Sequence, residues 1–223
     1  REKDSENELL ARAPRFRLQG EFIRDHALAV SGLLNPMVGG PGVKPYQPAN
    51  IWNEVSLNGG LRYKQDKGDK LYRRSMYTYW KRSSPMPNML IFDSPSREKC
   101  VIQRQRTNTP LQALVTLNDP QFLEAARAFA ERLLKSDKSD TAGRIDLAYR
   151  YATARLATGR EIEILTQLYQ KNLARFQSAP ETAKEFLKVG ESPRDESFDT
   201  SEHAAWMVVA QTIMNLDESL TRN

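Results

Sequence analysis

The sequence predicts a mainly α protein, an irregular helical array with a small antiparallel β element in its first half. Three observations carry this reading. From Thr109 onward, apolar residues recur at helical spacing through almost every stretch. Twice a capping side chain is followed directly by proline, at Thr109-Pro110 and at Asp119-Pro120, the order expected where helices start. Between Asn35 and Thr107, by contrast, glycine, proline and aromatic residues replace that periodicity. With 223 residues the chain is long enough for a self-sufficient core. It reads as a single mostly helical domain over 1–223, loop-rich and β-containing over about 35–107 and helical over about 109–223.

In chain order, Glu6 to Ala13 suit a short helix closed by Pro14. A longer helix follows from about Leu18 to Leu34, with Phe22, Ile23, Ala27, Val30 and Leu34 on one stripe. "NPMVGGPGVKPYQP" is a loop, "NIWNEVSL" allows one or two helical turns, and "NGGLRYKQDKGDKL" is a second polar loop. Loops of this length inside a compact domain often cover a site. "LYRRSMYTYWKRSSP", with Tyr72, Met76, Tyr77, Tyr79 and Trp80, has the aromatic composition of a strand, and "EKCVIQRQR" suits its antiparallel partner.

"RTNTPLQALVTLNDPQFLEAA" has a local explanation. Thr109 and Gln112 form the pattern of a capping box, and Leu111, Leu114, Val115 and Leu117 supply an apolar face. Pro120 ends that helix, and Asp119 caps the next, whose buried stripe is Phe122, Ala126, Phe129, Ala130 and Leu133. Ile145, Ala148, Tyr149, Ala152 and Leu156 mark another helix, with Gly159 at its left-handed C-cap. Ile164, Leu165, Leu168, Tyr169, Leu173 and Phe176 mark the next, and Pro180 opens a short helix ending at Gly190. After a polar linker, a last helix from about Glu202 to Leu220 buries Trp206, Val209, Ile213 and Leu216.

The net charge of +5 is unevenly spread. Leu61–Thr107 holds twelve Lys/Arg against four Asp/Glu, whereas from Glu161 onward eleven acidic residues face six basic ones. Such asymmetry fits either a patch for a polyanion or two halves that face each other or another domain. No apolar run reaches the roughly 20 residues that cross a bilayer. Cys100 is the single cysteine, which excludes an internal disulfide and a multi-cysteine zinc cage. Haem attachment, zinc-helix, Walker and dinucleotide motifs are absent, so neither catalytic residues nor a metal site can be named. Of the two histidines, His26 is expected half-buried on its helix and His203 exposed in the first turn of the last one.

Two clusters remain as candidate ligand-binding residues. One is Tyr79, Trp80 and Arg82 with Arg73 and Arg74, where aromatics interleave with cations; an edge strand protected by charge fits the same letters. The other is Arg104, Arg106 and Asn108, where alternation on a strand puts both arginines on one face. That face suits an anion site or a salt-bridged interface.

"ENELLARAPRFRLQGEFIRDHALAVSGLL", "GGPGVKPYQP", "YRRSMYTYWKR", "NMLIFDSPSREKC", "RQRTNTPLQALVTLNDPQFLEAARAFAERLL" and "NLDESLTRN", in this order, resemble the C-terminal planctomycete domain of unknown function. That domain occurs in large proteins that also carry a planctomycete-type cytochrome c domain. "LATGREIEIL" departs from the pattern, which usually has a proline-containing spacer after Gly-Arg. The resemblance implies a secreted, periplasmic or cell-surface bacterial protein, with haem c in an upstream domain and no cofactor in this fragment. A start at Arg1 agrees with a piece of a longer chain. It implies no reaction and no site residue.

Three functional readings follow. The first is a non-catalytic structural or interaction module that docks upstream domains of the same protein or an acidic protein. The second is an enzyme or binding domain acting on an anionic polysaccharide, such as a sulfated glycan, through Tyr79–Arg82 and Arg104–Arg106. Nucleic-acid binding ranks last, because it rests on net charge with no recognition motif.

Overall fold

The computed structural model describes residues 4–9, 15–56, 60 and 62–222. Of the short helix expected over Glu6–Ala13, residues 6–9 form turns instead, and residues 10–13 lie outside the described residues. Among the described residues the elements run β1 (Phe16–Arg17), α1 (Gly20–Ser31), α2 (Pro87–Ile91), α3 (Pro110–Asn118), α4 (Pro120–Leu134), α5 (Thr141–Thr153), α6 (Gly159–Ser178), α7 (Pro180–Leu187), α8 (Thr200–Met214), α9 (Asp217–Leu220) and β2 (Thr221–Arg222).

The α4–α8 pair is the centre of the molecule. Phe122, Ala125, Ala126, Phe129, Ala130 and Leu133 of α4 are buried with Ala204, Ala205, Trp206, Val209, Ala210 and Ile213 of α8 in one core. The alanines let the two helices approach closely, and the rings fill the space to either side. Helix α8 is apolar nearly all round because it is enclosed by α4, α5, α6 and α7. Each large apolar side chain removed from water here contributes about 1.5–3 kcal/mol. Helix α1 lies against α4 through Ile23, Ala27 and Val30 and stops at Gly32, whose φ of 81° provides the left-handed C-cap.

The predicted mainly α array is what the chain forms, together with one small antiparallel sheet. Its strands are not those expected. β1 pairs with β2 in the register Phe16↔Arg222 and Arg17↔Thr221, and the Leu18 N–H donates to the Leu220 carbonyl at 2.9 Å. The segment expected as a strand around Tyr72–Trp80 forms two 3-10 turns instead, Gly68–Tyr72 and Ser75–Tyr77. It touches its neighbours through isolated parallel bridges, Asn35↔Arg73 and Val43↔Thr78, and the residues around Val101 and Ile102 form no strand. The alternation of Arg104 and Arg106 on a strand face therefore does not occur.

Several local expectations change with their reasons. Thr109 is the N-cap of α3 but its side chain makes no capping bond: the Gln112 N–H donates to the Thr109 carbonyl (3.1 Å), and the Gln112 side chain, which the box needs to reach back, turns inward to the Ile91 carbonyl (2.9 Å) and Thr107 Oγ1 (3.0 Å). Helix α3 buries Gln112 and Thr116, while Leu111 and Leu114 are 53% and 54% exposed. Asp119 does cap α4, accepting from the Gln121 N–H at 2.9 Å. Ala154, not Gly159, is the left-handed C-cap of α5; Gly159 begins α6, where Thr158 and Glu161 form a capping box. Phe22, placed on the buried stripe, is exposed, and the last helix breaks at Asn215 into α8 and α9.

Candidate functional site

The long loops are fastened to the helical core by buried polar side chains. Arg24, on the inner face of α1, is 1% exposed. Its guanidinium donates to the Leu71 carbonyl (2.6 Å), the Arg73 carbonyl (2.7 Å), Ser75 Oγ (3.2 Å) and Gln121 Oε1 (2.6 Å). Burial lowers its pKa to about 10, opposed by the charges of Asp25 and Asp119, so it stays cationic at neutral pH. Asp25 accepts from the Ser75 N–H at 2.7 Å. A second fastening centres on buried Glu124, which accepts from the Tyr72 hydroxyl (2.8 Å) and the Ser192 N–H (2.6 Å). Desolvation, then Glu124, hold the phenols of Tyr46 and Tyr72 well above their usual range. Gly190 closes over this carboxylate at φ 86°, and a Cβ there would clash with the Glu124 side chain. Arg127 donates to the Ser192 carbonyl and hydroxyl, both at 2.6 Å.

The candidate residues separate within this frame. Arg73 is buried, holds the carbonyls of Pro41 (3.0 Å), Met37 (3.3 Å) and Gly39, and stacks 4.0 Å from the Tyr77 ring. Arg74 is exposed and 3.8 Å from Asp25. Trp80 donates its indole N–H to the Ser96 carbonyl at 2.9 Å, under the Arg97 guanidinium at 4.7 Å. Arg82 is exposed and has no ion-pair partner among the described residues. Tyr79 is half exposed, with its ring 5.9 Å from that of Trp52.

The second candidate cluster forms an arginine-rich face. Arg104 donates to Gln19 Oε1 and Glu21 Oε2, both at 2.9 Å, and the Arg106 guanidinium lies 4.6 Å from the Phe16 ring. Asn108 is exposed beside them. Arg17, Arg104, Arg106, Asp93, Thr107 and Gln112 surround a small pocket. Asp93, at φ 60°, accepts there from the Thr107 N–H (2.7 Å) and hydroxyl (2.9 Å). Arg17 Nε and Gln112 Oε1 are buried there without a hydrogen-bond partner. Alongside opens a groove of about 370 Å³ lined by Leu90, Ser94, Val101, Arg104 and Gln105, with Ile102 fully exposed next to it.

One grouping escaped sequence reasoning. Trp52 is buried against the edge of Tyr63 (5.1 Å), with the ammonium groups of Lys44 and Lys81 at 5.6 and 4.8 Å from its ring. No local pattern joins positions 44, 52, 63, 79 and 81, so the sequence held no signal for it.

The histidines also divide. His26 is half-buried as expected, and desolvation lowers its pKa. His203, expected exposed, is fully buried, with Nε2 3.2 Å from the Arg127 carbonyl and 3.8 Å from Glu131. Its first-turn position faces α4 rather than solvent, and desolvation lowers its pKa to about 4. Among the described residues no three His, Cys, Asp or Glu side chains gather as a metal site requires, and no helix is long and apolar enough to cross a membrane.

An apolar helical core carrying loops pinned by buried polar side chains defines a mainly α fold with exposed arginines on its loops. Residues 1–169 match the family described as a protein of unknown function, DUF1553 (PSD1), and the chain belongs to that family. No curated protein and no solved structure is detectably similar to it.

Proposed function

We propose that this chain is a non-catalytic interaction module that docks an acidic surface of an upstream domain of its own polypeptide. By the resemblance noted above, that polypeptide is a secreted, periplasmic or surface protein carrying haem c upstream, and this module binds none itself. The groove beside Arg104 carries the proposal. Leu90 (41% exposed) and Val101 (51%) give the groove apolar lining, and the neighbouring Ile102 is fully exposed. Arginines beside exposed aliphatic side chains match the composition of binding surfaces rather than of idle ones. Arg97, Lys99 and Arg106, all exposed, give the same loop a positive charge that an acidic partner complements.

Cross-linking of the full-length protein through the amine of Lys99 tests this. Cross-links from Lys99 to an acidic segment upstream, lost in a V101D/I102D variant, are expected. Both substitutions fall on exposed positions and should alter stability by no more than about 0.5 kcal/mol. Cross-links confined to residues of this chain would overturn the reading.

A further inference from the structure

Lys44, Trp52, Tyr79 and Lys81 form a cluster that the docking groove does not use. Lys44 Nζ lies 5.6 Å from the Trp52 ring and 5.3 Å from the Tyr79 ring, and Lys81 Nζ lies 4.8 Å from Trp52. Cation–π attraction offsets part of each charge. A ring face does not replace a hydrogen-bond acceptor, and Lys81 Nζ is shielded from solvent with no hydrogen-bond partner. Trp52 Nε1 is in the same condition, in a residue only 7% exposed. Asp66 uses one carboxylate oxygen, Oδ2, to accept from the Lys44 backbone N–H at 2.7 Å. Buried donors are almost always bonded, so two orphans beside a second cation call for an acceptor that carries negative charge.

Tyr79 says what carries that charge. It is 48% exposed and presents an aromatic ring directly beside Lys44. Lysine ammonium groups are point charges with several donor directions, unlike the planar guanidinium fork, and suit a small anionic substituent. An aromatic ring next to them suits a body that is apolar on one face and polar at its edges. The geometry points to a subsite for an acidic sugar, its ring against Tyr79 and its sulfate or carboxylate between Lys44 and Lys81. Arg82, exposed and one residue on, extends the positive field toward a further charged unit. This subsite is independent of the docking groove, so either can fail alone.

The protein is titrated with a sulfated oligosaccharide, a uronate oligosaccharide, a neutral oligosaccharide and poly-glutamate. Binding is read by calorimetry and by the indole N–H resonance of Trp52. At least one acidic sugar should bind, shift that resonance and weaken as salt rises, with the neutral sugar silent. The ratio of the two acidic sugars identifies the substituent. Lys44→Met and Lys81→Met keep the side-chain stems, and each should lower affinity about tenfold, as loss of one charge-assisted bond does. Tyr79→Ala, at a half-exposed position, should weaken binding as well and keeps the test decisive if Lys81→Met disturbs packing. V101D should leave affinity unchanged. Binding of neither acidic sugar, affinity indifferent to these changes, or poly-glutamate binding equally well would overturn the subsite.

Discussion

The α4–α8 pair and the loop layer from 35 to 107 are held together by different forces. In the helix pair, apolar side chains from both elements interlock, with Ala125, Phe129, Ala130 and Leu133 opposite Trp206, Val209 and Ile213, all fully buried. In the loop layer the buried apolar residues, Val43, Trp52, Leu71, Tyr72, Met86, Met89 and Phe92, are dispersed: Leu71 and Tyr72 cluster against Leu28 of α1, and Phe92 joins the helical core. Order there comes from charged groups on the helices that reach out and bind loop backbone, as Arg24, Asp25 and Glu124 do. Apolar packing is non-directional and tolerates repacking, whereas a guanidinium holding two carbonyls fixes their positions. The loops thus gain defined shape from polar fastenings together with a few dispersed apolar anchors.

The largest expected effects set these two regions apart. Trp206→Ala should cost about 3–5 kcal/mol and lower the helical signal cooperatively. Arg24→Met should cost about 2–4 kcal/mol, since the Leu71 and Arg73 carbonyls and Gln121 lose their donor in a buried setting. Its loss should be local: hydrogen exchange quickens over residues 71–79 while α4 and α8 stay protected. Uniform loss of protection in Arg24→Met would erase the distinction between the regions.

A smaller effect comes from acid acting on the core. Burial keeps the His203 imidazole neutral, so the unfolded chain takes up its proton first as pH falls. The stability present above pH 6.5 should decline progressively toward the folded value of about 4. At about 1.4 kcal/mol per pKa unit the loss reaches roughly 3 kcal/mol. Denaturant midpoints between pH 7 and 4 should show it, and His203→Gln should flatten the curve. An unchanged slope in that variant would place the acid sensitivity elsewhere.

The smallest effect separates two caps that look alike in sequence. Asp119→Ala should cost about 0.5–2 kcal/mol, whereas Thr109→Ala should change stability by a few tenths, because only Asp119 makes the side-chain bond. Equal losses in thermal unfolding would restore the capping box at Thr109.

The same division governs what could be read from the letters. The stripes of α4 and α8 were legible because period 3.6 and burial coincide there. Helix α3 defeated that rule: Gln112 and Thr116 point inward, since Ile91 and Asn215 give them partners, and the leucines are left outside. The Thr-x-x-Glu of Thr158 and Glu161 was a plain signal that went unread. Around Tyr72–Thr78 the aromatic composition of a strand was real, but Arg24 takes the place of a neighbouring strand by binding the backbone carbonyls. A side chain nearly fifty residues away leaves no local trace, and separations of about thirty to forty residues likewise hid Lys44 and Trp52 from Lys81. Of the candidate residues, Arg104 and Arg106 border one small pocket and Asn108 is exposed, while Arg73 is turned inward.

The pairing of Phe16–Arg17 with Thr221–Arg222 has a kinetic consequence. It closes a loop of almost the whole chain, and closure entropy grows only logarithmically with length, so its added cost to stability is modest. Its cost in time is greater, because contacts so distant along the chain must wait until intervening helices have assembled. The clasp is therefore expected to close last in folding, after the α4–α8 core has already brought its two halves within reach.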